Sequence, residues 1–132
     1  MTTSFLYLIS LSMKPYQDAR VKGEKLAKQY AELEKADQVD FFNGSEAYYS
    51  VLGHNKKQEA IAVLIEKNDH KIYIYQLDKG ISQDKAATIS REKGASDIDK
   101  VTFGRYQDKP IWEVKSGNQY YLVDFETGAV IQ

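Results

Sequence analysis

The stretch Tyr120-Tyr121-Leu122-Val123-Asp124-Phe125-Glu126-Thr127-Gly128-Ala129-Val130-Ile131 closes the chain and decides how it is read. Tyrosine, leucine and valine suit a pleated surface, so Gln119 to Phe125 predicts a strand. Asp124 can bond the backbone of the reversal that follows, and Gly128 is free to take positive φ. Ala129 to Ile131 then predicts a short return strand. Working back, Val101 to Tyr106 and Ile111 to Lys115 have the same strand-forming character, separated by Gln-Asp-Lys-Pro and Ser-Gly-Asn turns. A helix is predicted before them. Ile81 is a staple candidate, Ser82 an N-cap, Asp84 an acid in the first turn, Arg91 and Lys93 bases in the last, and Gly94 a stop. Ala86, Ala87 and Ile89 supply its narrow apolar face.

The first half has the same order. Pro15 to Ala36 predicts a long helix, with Tyr16, Ala19, Gly23, Leu26, Tyr30 and Leu33 in one stripe. Asp18 with Lys22 and Glu24 with Lys28 are acid-first pairs four apart. Val39 to Phe42 and Ala47 to Leu52 read as a hairpin about Asn43-Gly44, a pair that accepts positive φ at both central positions. Ala60 to Ile65 is a continuous apolar run, the mark of a central strand covered on both faces. After the polar turn Lys67-Asn68-Asp69-His70, Lys71 to Leu77 alternates, with Ile72 and Ile74 on one side and Tyr73, Tyr75 and Leu77 on the other.

These halves look like two copies. Val39-x-Phe41 matches Val101-x-Phe103, Tyr49-x-Val51 matches Trp112-x-Val114, and Glu66 with Ile72 matches Asp124 with Val130. A chain of 132 residues is near the size of one ordinary domain. Two copies of this length are each marginal alone, so they are expected to pack on one another. The expected fold class is α+β, with each copy a helix on an antiparallel sheet of about four strands: 15–77 for the first and 78–132 for the second.

Composition removes whole classes of function. With 18 basic and 19 acidic residues spread evenly, the charge balance argues against a nucleic-acid footprint, which needs a basic face, and leaves room only for local patches. The absence of cysteine excludes thiol nucleophiles, iron–sulfur clusters and cysteine-ligated zinc. Neither a cofactor loop nor a metal motif is present, and none is expected to bind. His54 and His70 fall in stretches read as polar turns. Asp97 and Asp99 read as a connection between helix and strand. Glu113 and Asp124 could sit on neighbouring strands, but no substrate groove is implied.

Phe5 to Met13 is uncharged and apolar, yet too short to span a bilayer by itself. It reads either as an element packed on the domain or as the outer end of a membrane anchor. Lys14-Pro15 would suit a membrane exit.

The second half, from Ile81-Ser82 through Trp112-x-Val114 to the closing Val-Asp-x-x-Thr-Gly-x-Val, resembles a PepSY domain, a module of protease propeptides and bacterial envelope proteins. The whole chain from about Lys14 to Ile131 resembles the YpmB-like or TseB-like family of cell-wall elongation regulators of Gram-positive bacteria. Asp37-Gln38-Val39, the Asn43-Gly44 hairpin and Lys79-Gly80-Ile81-Ser82-x-Asp84-Lys85-Ala86-Ala87 fit it. The resemblance implies two tandem cystatin-like, PepSY-type units outside the cell membrane. It also implies a single-pass anchor of which residues 1–14 are the remnant, with Pro15 to Ala36 leading from it as a stalk.

The expected function is non-catalytic binding of an envelope protein by a monomeric soluble portion, with a penicillin-binding transpeptidase as the partner that the resemblance implies. Inhibition or chaperoning of an extracytoplasmic peptidase or wall hydrolase is the alternative. The Gln-x-Val-x-Gly hairpin of cystatin inhibitors is not supplied by Gln119-Tyr-Tyr-Leu-Val. Tyr48, Tyr73 and Tyr75 are the candidate partner-binding residues. They fall on a sheet face that is either open to a partner or covered by the other copy.

Overall fold

The structure is a computed structural model that describes residues 15–131. The expected anchor remnant, residues 1–14, lies outside the described residues. Helix α1 (Pro15–Tyr30) is followed by β1 (Leu33–Asn43), β2 (Ala47–Asn55), β3 (Ala60–Glu66) and β4 (Ile72–Gln76), which form one antiparallel sheet in that order. A 3-10 turn (Leu77–Lys79) leads to α2 (Gln83–Glu92). Then β5 (Lys100–Tyr106), β6 (Lys109–Ser116) and β7 (Gln119–Asp124) form a second antiparallel sheet. The class is α+β, as expected. The second sheet has three strands and not four, because Ala129 to Ile131 contributes only a single bridge, Val123 to Val130.

Helix α1 is shorter than its apolar stripe suggests. Ala31 N–H still bonds Ala27 O, but Glu32 turns left-handed at φ 55° and the chain reverses. Leu33, read as the last member of a helical stripe, opens β1 instead and pairs with Asn55. It is buried nonetheless, because the strand brings it into the same core that the helix covers. The C-terminal half of this helix therefore packs on the first sheet. Ala27 is fully buried, and Gly23 lets the backbone approach Tyr49. The Lys28–Glu24 pair forms at 3.0 Å on the outer face.

The period of two in the strands sorts the first sheet into two faces. Val39, Tyr49, Val51, Ile61, Val63 and Ile65 face α1 and form one cluster with Ala27, Ala31 and Leu33. Phe42, Tyr48, Leu52, Ala62 and Leu64 face the other way. That second face is covered by the second half. Phe103, Trp112, Val114, Val123 and Phe125 join it in a single core that also receives Ala86 of α2. Rings there meet edge to face, Phe103 with Trp112 at 4.9 Å and with Phe125 at 5.2 Å, the arrangement the ring quadrupole favours. The buried indole of Trp112 donates to Ile81 O at 3.0 Å.

Inside each half the pairing is the same. Val39 and Phe41 stand opposite Val51 and Tyr49, and Val101 and Phe103 stand opposite Val114 and Trp112. The turns also agree. Glu66 N–H bonds Lys71 O and His70 N–H bonds Glu66 O; Asp124 N–H bonds Ala129 O and Gly128 N–H bonds Asp124 O. His70 (φ 58°) and Gly128 (φ 83°) take the same left-handed position.

Two local expectations change. The loop after Asn43 runs from Gly44 to Glu46, with Asn43 opposite Ala47, and Gly44 does not take positive φ. A side chain there would strike the ring of Phe42 at 2.8 Å, so the glycine is needed for room. His54 is in β2 and not in a turn, and its Nδ1 lies 2.9 Å from Asp37 Oδ2.

Candidate functional site

Tyrosines 48, 73 and 75 lie where the two halves meet. Tyr48 is 4% exposed within the shared core, while Tyr73 and Tyr75 of the edge strand β4 are half-buried against it. The ring of Tyr48 meets that of Tyr73 edge-on at 6.3 Å, and Tyr75 packs on Phe103 of the second sheet at 5.5 Å. Of the two readings of this face, the described residues place it under the second half.

What organises the three rings is Arg105 of β5. Its guanidinium lies 3.9 Å from the ring centroid of Tyr73, and its Nε donates to the Tyr75 hydroxyl at 3.2 Å. The Tyr48 hydroxyl also faces it. Burial opposes the charge on Arg105, but the tyrosine hydroxyls outweigh that and hold its pKa above the ordinary value. Burial likewise raises the Tyr48 phenol, against the pull of Arg105. Arg105 was not among the residues singled out from sequence. The available signal was parity: it shares its side of β5 with Val101 and Phe103, so it points inward.

Beside this cluster the seam opens into a polar cleft of about 240 Å³, lined by Glu46, Glu66, Asp69, Lys71, Tyr73 and Arg105 among others. Glu66 ends the apolar run of β3 and is 7% exposed. A hydrogen bond with the Glu46 carboxyl, then burial and the negative charge of Glu46, push the Glu66 pKa above the ordinary carboxylate value. Other polar contacts close the rest of the seam. Gln83 Nε2 donates to Val101 O at 2.9 Å and to Gln38 Oε1 at 3.2 Å, and Lys100 pairs with Asp40 at 3.2 Å.

Glu113 and Asp124 lie on neighbouring strands, as expected, diagonal to each other across β6 and β7 and not directly opposite. Glu113 stands opposite Thr102 and Leu122, whereas Asp124 stands opposite Ile111. Asp124 Oδ1 accepts from Glu126 N–H at 2.8 Å and Thr127 N–H at 3.0 Å, the turn role expected of it. Asp99 Oδ2 accepts from Gly117 N–H at 2.8 Å, tying the connection after α2 to the β6–β7 turn. Among the described residues no group of three or more His, Asp or Glu is placed to hold a metal ion. No described helix is long and apolar enough to cross a membrane.

The fold thus defines a class: a small α+β protein of two sheet-and-helix halves joined through one aromatic core, with an arginine-clasped tyrosine cluster and a polar cleft at the join. Residues 22–66 match the family described as "Cell wall elongation regulator TseB-like domain". The chain is 35% identical over 143 aligned positions to the "Probable cell wall elongation regulator TseB" of Bacillus subtilis (strain 168), covering 97% of this chain and 88% of that protein. Among solved structures, the YpmB protein from Bacillus subtilis superposes with a TM-score of 0.71 at 33% identity, over 92% of this chain and 97% of the other. The chain belongs to the TseB-like family of cell wall elongation regulators.

Proposed function

We propose that this chain is a non-catalytic regulator of cell-wall elongation that acts by binding an envelope protein, with a penicillin-binding transpeptidase as partner. The observation that carries the reading is the 35% identity, over nearly the whole chain, to a protein named as a cell wall elongation regulator. The two halves are read as PepSY-type, cystatin-like units spanning 15–77 and 78–132. Residues 1–14 are read as the outer part of a single-pass anchor that holds them on the extracellular side of the membrane. The engagement of chemistry-capable groups in local structure supports a binding role: His54 is paired with Asp37, and Asp124 is committed to its turn.

The proposed contact is the open edge of β4. There Ile74, which is 50% exposed, stands on one face of the edge strand and the half-buried Tyr73 and Tyr75 on the other, with Tyr48 packed against Tyr73. Tethering concentrates the contact near the membrane, so even a weak interface is occupied. The test is a photo-crosslinking residue at position 75 in intact cells. Capture of a wall-synthesis transpeptidase is expected, and a fully soluble form should complement a deletion less well than the anchored one. Equal complementation by the soluble form refutes the tethering, and stoichiometric inhibition of an envelope peptidase by the purified chain would point to the inhibitor role instead.

A further inference from the structure

The two matching turns use their acids differently. Asp124 closes its own turn with two hydrogen bonds. Glu66, at the same place in the first half, has one more methylene and leaves its turn uncapped. Its side chain is 7% exposed and lines the seam cleft, and its Oε1 is buried without a hydrogen-bond donor. A buried acceptor left in this state is costly, and a carboxylate more so than a neutral oxygen.

The surroundings of that oxygen select the donor. Glu46 from the β1–β2 loop, Asp69 from the β3–β4 turn and Asp108 from the β5–β6 turn face the same cleft, against Lys71 and Arg105. Four carboxyl groups thus face two cations, which disfavours an anion. Arg105 is already engaged: Nε with Tyr75, its face with Tyr73, and an Nη with Asp108 at 3.4 Å. The described carboxylates do not form a metal-holding group. A compact cation with three N–H donors satisfies what remains.

We propose that the seam cleft binds a primary alkylammonium group, as carried by a lysine side chain, with the ammonium held between Glu66 and Glu46 and its methylene stem against Tyr73. Such a group offsets the like-charge crowding of the Glu66 and Glu46 carboxyls. The site is independent of which envelope protein the chain contacts.

The probe is Nα-acetyl-lysine N-methylamide, titrated into the 15N-labelled full chain and followed by amide shifts. Nα-acetyl-norleucine N-methylamide, which has a similar apolar stem and no ammonium, is the control. Saturable shifts centred on Glu46, Glu66 and Tyr73 are expected with the lysine probe alone, with a dissociation constant on the order of 1 mM for one small charge-assisted contact. Glu66→Gln should weaken binding about tenfold or more while keeping the shifts of a folded chain. Glu46→Gln, on a loop where folding is not at stake, should weaken it by a smaller factor. Equal shifts with the norleucine control, no saturation, or unchanged affinity in both variants would overturn the proposal.

Discussion

The ring of Phe42 on the first sheet lies against the bare Cα of Gly104 on the second: a Cβ added at Gly104 would stand 2.5 Å from the ring carbons. The join between the halves is thus set by the lack of a side chain. Gly104→Ala must push Phe42 out of a closed core, at a cost of about 1–3 kcal/mol. Phe42→Leu alone should also destabilise, but in the double variant the smaller side chain should recover part of the loss from Gly104→Ala. Urea unfolding of the four chains gives the coupling between the two positions directly.

Arg105 holds three tyrosines through its charge, its planarity and its donors together. Arg105→Met keeps much of the stem and loses the rest, so a loss of about 1–3 kcal/mol is expected. Arg105→Lys should recover only part of it, since an ammonium cannot stack on Tyr73 and reach Tyr75 in the same geometry. Chemical denaturation ranks the three, and equal stability of the Lys variant and the parent would refute the stacking role.

The matching turns make opposite predictions. Gly128→Ala places a side chain at φ 83° and should cost about 1–2 kcal/mol. His70→Gly relieves a side chain from the equivalent position at φ 58° and should be neutral or stabilising by up to about 1 kcal/mol. Asp124→Ala should cost about 1–2 kcal/mol by freeing two turn N–H groups, and Asp124→Asn, which keeps an acceptor, should cost less. Thermal unfolding distinguishes these signs.

Burial raises the Glu113 pKa on the second sheet, against the opposing pull of Lys100. A carboxyl with a raised folded pKa binds its proton more tightly in the folded chain than in the unfolded one. Its contribution to stability is neutral below the unfolded pKa and becomes a penalty as pH rises through the folded value. In Glu113→Gln the fall in stability over the pH range just above the ordinary carboxylate value should therefore be smaller than in the parent. Unfolding free energies measured across acidic to neutral pH check it, and parallel curves would exclude the effect.

Local signals were legible wherever a residue type has one mechanical use at a fixed spacing. Ser82 accepts from Lys85 N–H as an N-cap, Gly94 follows the helix at φ 116°, and the Asp124 to Gly128 turn forms as its residues suggest. The apolar run of β3 is buried on both faces. The end of α1 was not legible, because Glu32 takes a left-handed turn without a glycine to mark it, and Leu33 satisfies both the helical and the strand pattern. Gly44 was misleading because glycine supplies either torsional freedom or room, and only the position of Phe42 says which. The alternation of Tyr73 and Tyr75 identified a shared face but not what covers it, since that depends on residues about 30 positions away in the chain, Phe103 and Arg105. The unsatisfied oxygen of Glu66 had no sequence signal, because its meaning arises from a comparison with Asp124 in three dimensions.

Phe103 touches Tyr75 on one side and Trp112 and Phe125 on the other, so the aromatic core belongs to neither half alone. Amides in β3 and β6 should accordingly exchange with solvent through one global opening. Cutting the chain between β4 and α2 would bare a slab of rings on each fragment and yield aggregates. Deletion mapping of this protein's contacts would then report collapse, and only single side-chain changes on the intact chain can separate where it is touched from how it stands.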